Sequence, residues 1–221
     1  MTIAISTDSV SKSYLGTMVL HDITLDVAAG SLTVLRGPSG SGKTTLLNLI
    51  SGLDQPDAGT VTVDGAEVTG LAARKRGQFR ARYGHVFQRS GLLGGLTLRE
   101  NIEGPHALTG QQVNPAWMNH LVDLLDIDSL LDTHASRVSG GQAQRASLVR
   151  ALAHRPAILF ADEPTASLDT ASKHLVHSLL RDVASNEGTT VLMVSHDEIS
   201  GQYATAQIGL LDGRIQDAGD R

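Results

Sequence analysis

The sequence predicts an α/β fold with a largely parallel sheet and a helical segment inserted in its middle. Three observations predict it. Apolar strand-like runs alternate with helix-period stretches along the chain. Leu32-Thr33-Val34-Leu35, a Gly-rich loop from Gly37 to Gly42 and an apolar helix pattern from Lys43 to Ile50 form a strand–loop–helix unit. Strand signals then vanish between Leu92 and Ala153.

Taken in order, the first segment reads as short strands, because Ile23, Leu25 and Val27 alternate with Thr24 and Asp26. Val61 and Val63 make another strand, closed by the turn Asp64-Gly65. Leu71 to Arg82 has a helical pattern, and Val86-Phe87 is a brief strand. Within 92–153, Pro115 suits a first helical turn, followed by an apolar face of Trp117, Leu121, Val122, Leu124 and Leu125. A second helix, Gly141 to Ala153, begins after Ser139. Ala157 to Ala161 is a continuous apolar strand, as expected when both sheet faces are covered. A helix from Thr170 to Ala184 and a buried strand from Thr190 to Val194 follow. Leu210-Leu211, Asp212-Gly213 and Arg214-Ile215 spell a terminal hairpin.

The 221 residues suit one domain, 1–221, with a helical subdomain at 92–153. Lys plus Arg number 18 and Asp plus Glu 23, a net charge of −5. An acidic chain with 3% aromatic residues lacks the basic surface and stacking platforms of a general nucleic-acid binder, so no nucleic-acid partner is expected. With no cysteine, disulfides, thiolate metal sites and Cys nucleophiles are excluded. Met1 to Val10 has neither a basic flank nor an apolar run, so no signal peptide is expected. No stretch approaches the roughly 20 apolar residues that span a bilayer.

Chemistry concentrates at three places. Gly37-Pro38-Ser39-Gly40-Ser41-Gly42-Lys43-Thr44 fits G-x-x-x-x-G-K-[ST] between a strand and a helix, the context that motif requires. Its glycines let successive N–H groups face phosphate oxygens, and the helix start adds positive potential. Lys43 supplies a mobile charge, and Thr44 a hydroxyl for Mg²⁺. Second, the apolar strand Ile158 to Ala161 ends in Asp162 and Glu163. At the same sheet edge, Asp162 suits Mg²⁺ and Glu163 suits accepting a proton from water. Third, Val138-Ser139-Gly140-Gly141-Gln142 reads either as a plain capped helix or as a second anion site.

Together these residues resemble the ATP-binding-cassette (ABC) ATPases over nearly the whole chain. Gly37 to Thr44 is similar to the family's Walker A loop, Thr45 following it, and Ile158 to Glu163 to its Walker B strand. Ser139 to Gln142 resembles the signature, with Val138 where Leu is usual. Gln88 matches the Q-loop, Ser167-Leu168-Asp169 the D-loop, His196 the switch histidine, and Tyr14 the aromatic that stacks on adenine. The resemblance implies a P-loop NTPase core, an antiparallel β subdomain and the inserted helical subdomain. It implies ATP and Mg²⁺ as ligands, with Gln88 joining Thr44 and Asp162 at the metal. Glu163, His196 and Lys43 become the catalytic set. It further implies a second cassette, expected to be identical, whose Ser139, Gly140 and Gly141 close on the nucleotide. An integral membrane permease completes the machine, with this chain expected peripherally at the cytoplasmic face of the membrane.

Within the family the chain looks like the lipoprotein-release and macrolide or peptide export subgroup, through Leu46-Leu47-Asn48, Ser51-Gly52-Leu53-Asp54, Pro56, Gly59 and Glu100-Asn101. It departs from that subgroup at Gly94-Gly95, at Ala166-Ser167, and at Arg36, where an aliphatic residue is commoner. Leu92, Leu93, Leu96 and Leu98 either meet the permease or fill the helical core. Arg74, Lys75, Arg76, Arg80 and Arg82 fit a solvated helix face better than a lipid contact. Two rival classes stand beside transport. One is a soluble assembly or nucleic-acid-linked cassette. The other is a GTPase or small-molecule kinase, against which the absence of Asn-Lys-x-Asp argues.

Overall fold

Two sheets divide the chain's strands, and their positions follow from what each strand must bury. The computed structural model describes residues 2–216; Met1 and residues 217–221, part of the single-domain reading, lie outside the described residues. One sheet is antiparallel, in the order β2-β1-β4-β5, built from β1 (Ile3–Tyr14), β2 (Thr17–Ala28), β4 (Ala58–Val63) and β5 (Ala66–Glu67). The other runs β10-β9-β3-β8-β7-β6. It comprises β3 (Leu32–Arg36), β6 (Gly84–Val86), β7 (Ile158–Asp162), β8 (Thr190–Val194), β9 (Ala206–Leu211) and β10 (Arg214–Gln216). Five adjacent strands, β9, β3, β8, β7 and β6, are all parallel, and only the edge strand β10 returns antiparallel as the terminal hairpin.

The strands of the parallel sheet read as unbroken apolar runs because alternate residues feed two cores. Val34, Leu159, Ala161, Val191 and Met193 face the helices α3 (Leu98–Thr109), α4 (Pro115–Leu124), α5 (Gly140–Leu152) and α6 (Thr170–Asn186). Leu35, Ile158, Phe160, Leu192 and Val194 face α1 (Lys43–Ile50), α2 (Ala73–Ala81) and the antiparallel sheet. Each Val, Leu, Ile, Met or Phe among them contributes about 1.5–3 kcal/mol when removed from water, so polar alternation on either face would be costly. Parallel register then has a functional consequence: Leu35 and Asp162 both pair with Val194, and Val86 with Ala161. The carboxyl ends of β3, β6, β7 and β8 therefore share one edge.

Several sequence expectations are revised. The opening short strands are two 12-residue strands, β1 and β2. The helix read over Leu71 to Arg82 spans Ala73–Ala81, and the strand read at Val86-Phe87 is Gly84–Val86. Within 92–153 the structure contains α3, α4, α5 and two short 3-10 turns. The helix α3 was not foreseen. Thr97 caps it reciprocally with Glu100, and Asn101 inside it ties down Leu93 through both N–H and C=O.

The leucine question divides residue by residue. Leu98 is fully buried and Leu92 packs on the core, whereas Leu93 and Leu96 stay exposed. In the basic run, Arg80 donates to the Gly52 carbonyl at 3.0 Å and Arg82 pairs with Asp64 at 3.3 Å. Arg74 and Lys75 are solvated. Among the described residues no helix is long and apolar enough to cross a membrane.

Candidate active site

The loop after β3 is shaped by what surrounds it. Gly37 has φ 152°, and a Cβ there would stand 2.0 Å from the Leu210 carbonyl oxygen of β9, so no side chain fits. Gly42, at φ 99°, precedes α1 and offers no side-chain cap to its first N–H groups. Those donors are left for an outside acceptor, which is the chemistry of an anion site. Gly40, at φ 80°, has open space around it. Lys43 is buried and curls back over the loop, donating to the carbonyls of Gly37 at 3.0 Å and Pro38 at 2.7 Å. Ser41 is buried beneath the loop, and its carbonyl accepts from Gly213 at 3.2 Å.

The shared sheet edge delivers the acidic residues to this loop. Thr44 Oγ1 donates to Asp162 Oδ1 at 3.2 Å. Burial raises the Asp162 carboxyl above its ordinary range and the neighbouring Glu163 charge adds to that, while Thr44 and Lys43 pull the other way. A half-buried carboxylate bonded to a hydroxyl offers only oxygen ligands, so the pair fits a hard cation. Glu163 is buried, adopts a left-handed φ of 48°, and donates its N–H to the Val194 carbonyl at 3.0 Å. Its Oε1 lies 2.8 Å from His196 Nδ1. Glu163 therefore points along the sheet edge with an exposed imidazole against it. Gly37, Ser39, Gly40, Gly42, Lys43, Thr44, Thr45, Gln88, Glu163 and His196 line one cleft of about 630 Å³.

Other expected residues lie elsewhere. Ser139 caps α5: its Oγ accepts from Gln142 N at 3.2 Å, and Gln142 Oε1 accepts from Ser139 N at 2.8 Å. Gly141 fits closely there, since a Cβ would come within 3.1 Å of the Ser167 carbonyl oxygen. Ser139, Gly140, Gly141, Gln142 and Asp169 line a second cleft that shares no lining residue with the first. Asp169 caps α6, accepting from Ser172 N at 3.0 Å. Tyr14 lines neither cleft; it ends β1 at a hairpin tip, 42% exposed, its hydroxyl donating to Asp54 at 2.5 Å. Burial and Asp54 push that phenol up to about 12, so it stays protonated, and the Lys12 ammonium lies over the ring, 5.1 Å from its centroid.

Sequence reasoning missed Val19, which lines the first cleft, and Arg145, which lines the second. Val19 gave no signal, since it reads as an ordinary strand residue. Arg145 lies three residues beyond Gln142 on the half-buried first turns of α5, a spacing that the helix period alone would have flagged.

A phosphate loop, a strand-end carboxylate pair and a parallel sheet define a nucleoside-triphosphate-binding α/β protein. The ABC transporter family profile matches residues 20–166. The lipoprotein-releasing system ATP-binding protein LolD 1 of Caulobacter vibrioides is 40% identical over 203 residues, covering 90% of this chain and 87% of that protein. The ABC transporter ATP-binding protein YtrE of Bacillus subtilis shows the same identity and coverage. The dimeric structure of MJ0796, a bacterial ABC transporter cassette, superposes with TM-score 0.89 at 30% identity, over 96% of each chain. A second dimeric structure of that cassette, in a post-hydrolysis state bound to ADP and Pi, has TM-score 0.87. The chain belongs to the ABC transporter ATP-binding family, and its chemistry is ATP binding and hydrolysis.

Lys43→Ala is expected to weaken ATP binding about ten- to a hundredfold, the loss of charge-assisted hydrogen bonds to phosphate. Direct titration of the purified chain measures it, and an unchanged dissociation constant would refute the role of Lys43.

Proposed function

We propose that two copies of this chain close head to tail over Mg-ATP, and that closing and reopening drive a separate integral membrane permease. The observation that carries this is the separation of the two clefts. The cleft at the phosphate loop is lined by Glu163 but, among the described residues, by none of Ser139 to Gln142. The second cleft, at the capped helix start Ser139 to Gln142, is lined by no phosphate-loop residue among the described residues. Rotating one copy about a two-fold axis supplies each with what it lacks. MJ0796, at 30% identity, forms dimers in both of its structures.

In this proposal the N–H groups of Gly37 to Thr45 cradle the phosphates, and Lys43 leaves its loop carbonyls for the β- and γ-phosphate oxygens. Thr44, Asp162 and Gln88 would hold a magnesium ion, whose charge would offset that of the phosphates. Among the described residues no group of three or more His, Asp or Glu side chains is clustered to hold a metal alone. Glu163 takes the proton of the attacking water. His196, buttressed by Glu163 at 2.8 Å, donates to the γ-phosphate. Tyr14 offers its ring to the adenine. From the opposite copy, Ser139, Gly140, Gly141 and Gln142 close over the γ-phosphate, and Asp169 lies across the interface. Water-excluding closure strengthens every donor–phosphate contact, and loss of the γ-phosphate removes the bridge.

This chain would sit peripherally at the cytoplasmic face of the membrane, with Leu93 and Leu96 exposed toward the permease. Kinship with LolD 1 favours extrusion of a lipoprotein, peptide or drug over a soluble role. Affinity purification from detergent-solubilised membranes is expected to recover a stoichiometric multi-span protein whose addition raises ATP turnover. Turnover indifferent to every co-purified membrane protein would contradict the transport assignment.

A further inference from the structure

Arg36 is a departure from the family pattern that the proposed function does not use. It ends β3, one residue before Gly37. Its guanidinium reaches the turn that follows His196. Nη2 donates to the Asp197 carbonyl at 3.2 Å and the Glu198 carbonyl at 3.3 Å, and lies 3.3 Å from Ser200 Oγ. The same turn closes on itself: Ser200 Oγ donates to the Asp197 carbonyl at 2.6 Å, and Ile199 N to Asp197 Oδ1 at 3.0 Å. Several acceptors in one turn are thus gathered on a cation that is part of the phosphate-loop strand.

Gly201 gives an independent reason to regard this contact as built. It lies in α7 (Ser200–Tyr203), and its φ is not in the left-handed region, so its backbone does not call for glycine. A Cβ at Gly201 would stand 2.4 Å from Arg36 Nη2 and 3.0 Å from Cζ. The missing side chain is what admits the guanidinium. On the other side of the turn, Lys173 Nζ of α6 lies 2.8 Å from Asp197 Oδ2. Lys173 sits one turn from Asp169, the residue that caps α6. The turn is therefore held from the base of the phosphate loop and from the helix that starts at the second cleft.

His196 itself is poorly held. Its side chain is 71% exposed, and its hydrogen bond among the described residues is to Glu163. We propose that Arg36 is a positioning residue for His196, strapping turn 197–200 to the phosphate loop so that the imidazole stays at Glu163 and the cleft. This rests on the reading of His196 as the γ-phosphate donor. A side chain that must meet a γ-phosphate within a few tenths of an ångström gains from such a strap, since a misplacement of about 1 Å can cost about a hundredfold in rate.

The test uses variants that remove the strap in different ways. Arg36→Met removes the charge, and Gly201→Ala displaces the guanidinium while adding a residue that favours helix. Each is expected to lower kcat about tenfold while KM for ATP changes less than about twofold and Tm stays near the parent. Because both act on one contact, the double variant should lose no more than about what either loses alone. Arg36→Lys, which keeps the charge, should recover most of the rate. Parent kcat in both single variants would overturn the proposal. So would kcat, ATP affinity and Tm falling together, the mark of a merely structural contact. His196→Ala separates the layers. If it hydrolyses ATP at the parent rate, the reading of His196 fails and the strap with it. If it is inactive while Arg36→Met and Gly201→Ala keep full rate, only the strap fails.

Discussion

Glu163→Gln is expected to bind ATP as tightly as the parent and to hydrolyse it about 10²- to 10⁴-fold more slowly, the usual worth of a positioned general base. The substitution is near-isosteric. Its amide oxygen still accepts from His196, which lies 2.8 Å from the carboxylate, so the imidazole need not move. The left-handed φ of 48° and the N–H bond to Val194 are backbone features that Gln keeps. What disappears is the capacity to take a proton from water. Asp162 does not replace it, because its side chain is turned to Thr44 at 3.2 Å. Phosphate release under saturating ATP measures the effect, with nucleotide titration as control. Turnover within a few-fold of the parent would remove Glu163 from the role of base.

Ser139→Arg is expected to abolish dimer-dependent hydrolysis, a loss of at least about a hundredfold, while each chain still binds ATP. The first cleft contains no residue of the second, so the substitution leaves every donor of the phosphate loop in place. Locally it removes the cap that Ser139 Oγ gives Gln142, worth about 1 kcal/mol. Ser139→Ala, which loses the cap without adding bulk, is therefore the control for stability. The Arg side chain would occupy the space that the γ-phosphate of the opposite copy requires. ATP turnover that still rises steeply with protein concentration in Ser139→Arg would count against a shared site.

The segments that line the two clefts were more legible in the sequence than the strands around them. Gly37 to Thr44, Asp162-Glu163 and Ser139-Gly140-Gly141-Gln142 are contiguous, and each depends on local backbone geometry that residue type dictates. The apolar runs of β7 and β8 were legible because both faces are buried and no polar residue interrupts them. The long strands β1 and β2 were not. Their pairing shifts register between Ile3 and Ile5, after Thr7, after Val10 and after Lys12, and Ser9 and Asp22 adopt positive φ. Each irregularity resets the two-residue period, so only Ile23 to Val27 kept a readable alternation. The helix α3 was hidden by Gly104 and Pro105 in its interior, both poor helix formers. Its capping box at Thr97 and Glu100 was the available signal.

Long-range partners were beyond sequence in a different way. That Tyr14 is pinned by Asp54, 40 residues away, follows only from the pairing of β1 with β4. That Arg36 grips a turn some 160 positions later follows from the parallel neighbours of β3. The sequence marked Arg36 as unusual and gave no means to say what it touches.

The central claim is that one nucleotide is held by two chains. Light scattering coupled to size exclusion on Glu163→Gln, with and without Mg-ATP, tests it most directly. A shift from monomer to a particle of twice the chain mass on adding Mg-ATP, absent when Ser139→Arg is combined with Glu163→Gln, is the predicted result. A nucleotide-saturated Glu163→Gln that remains monomeric at every concentration would contradict it.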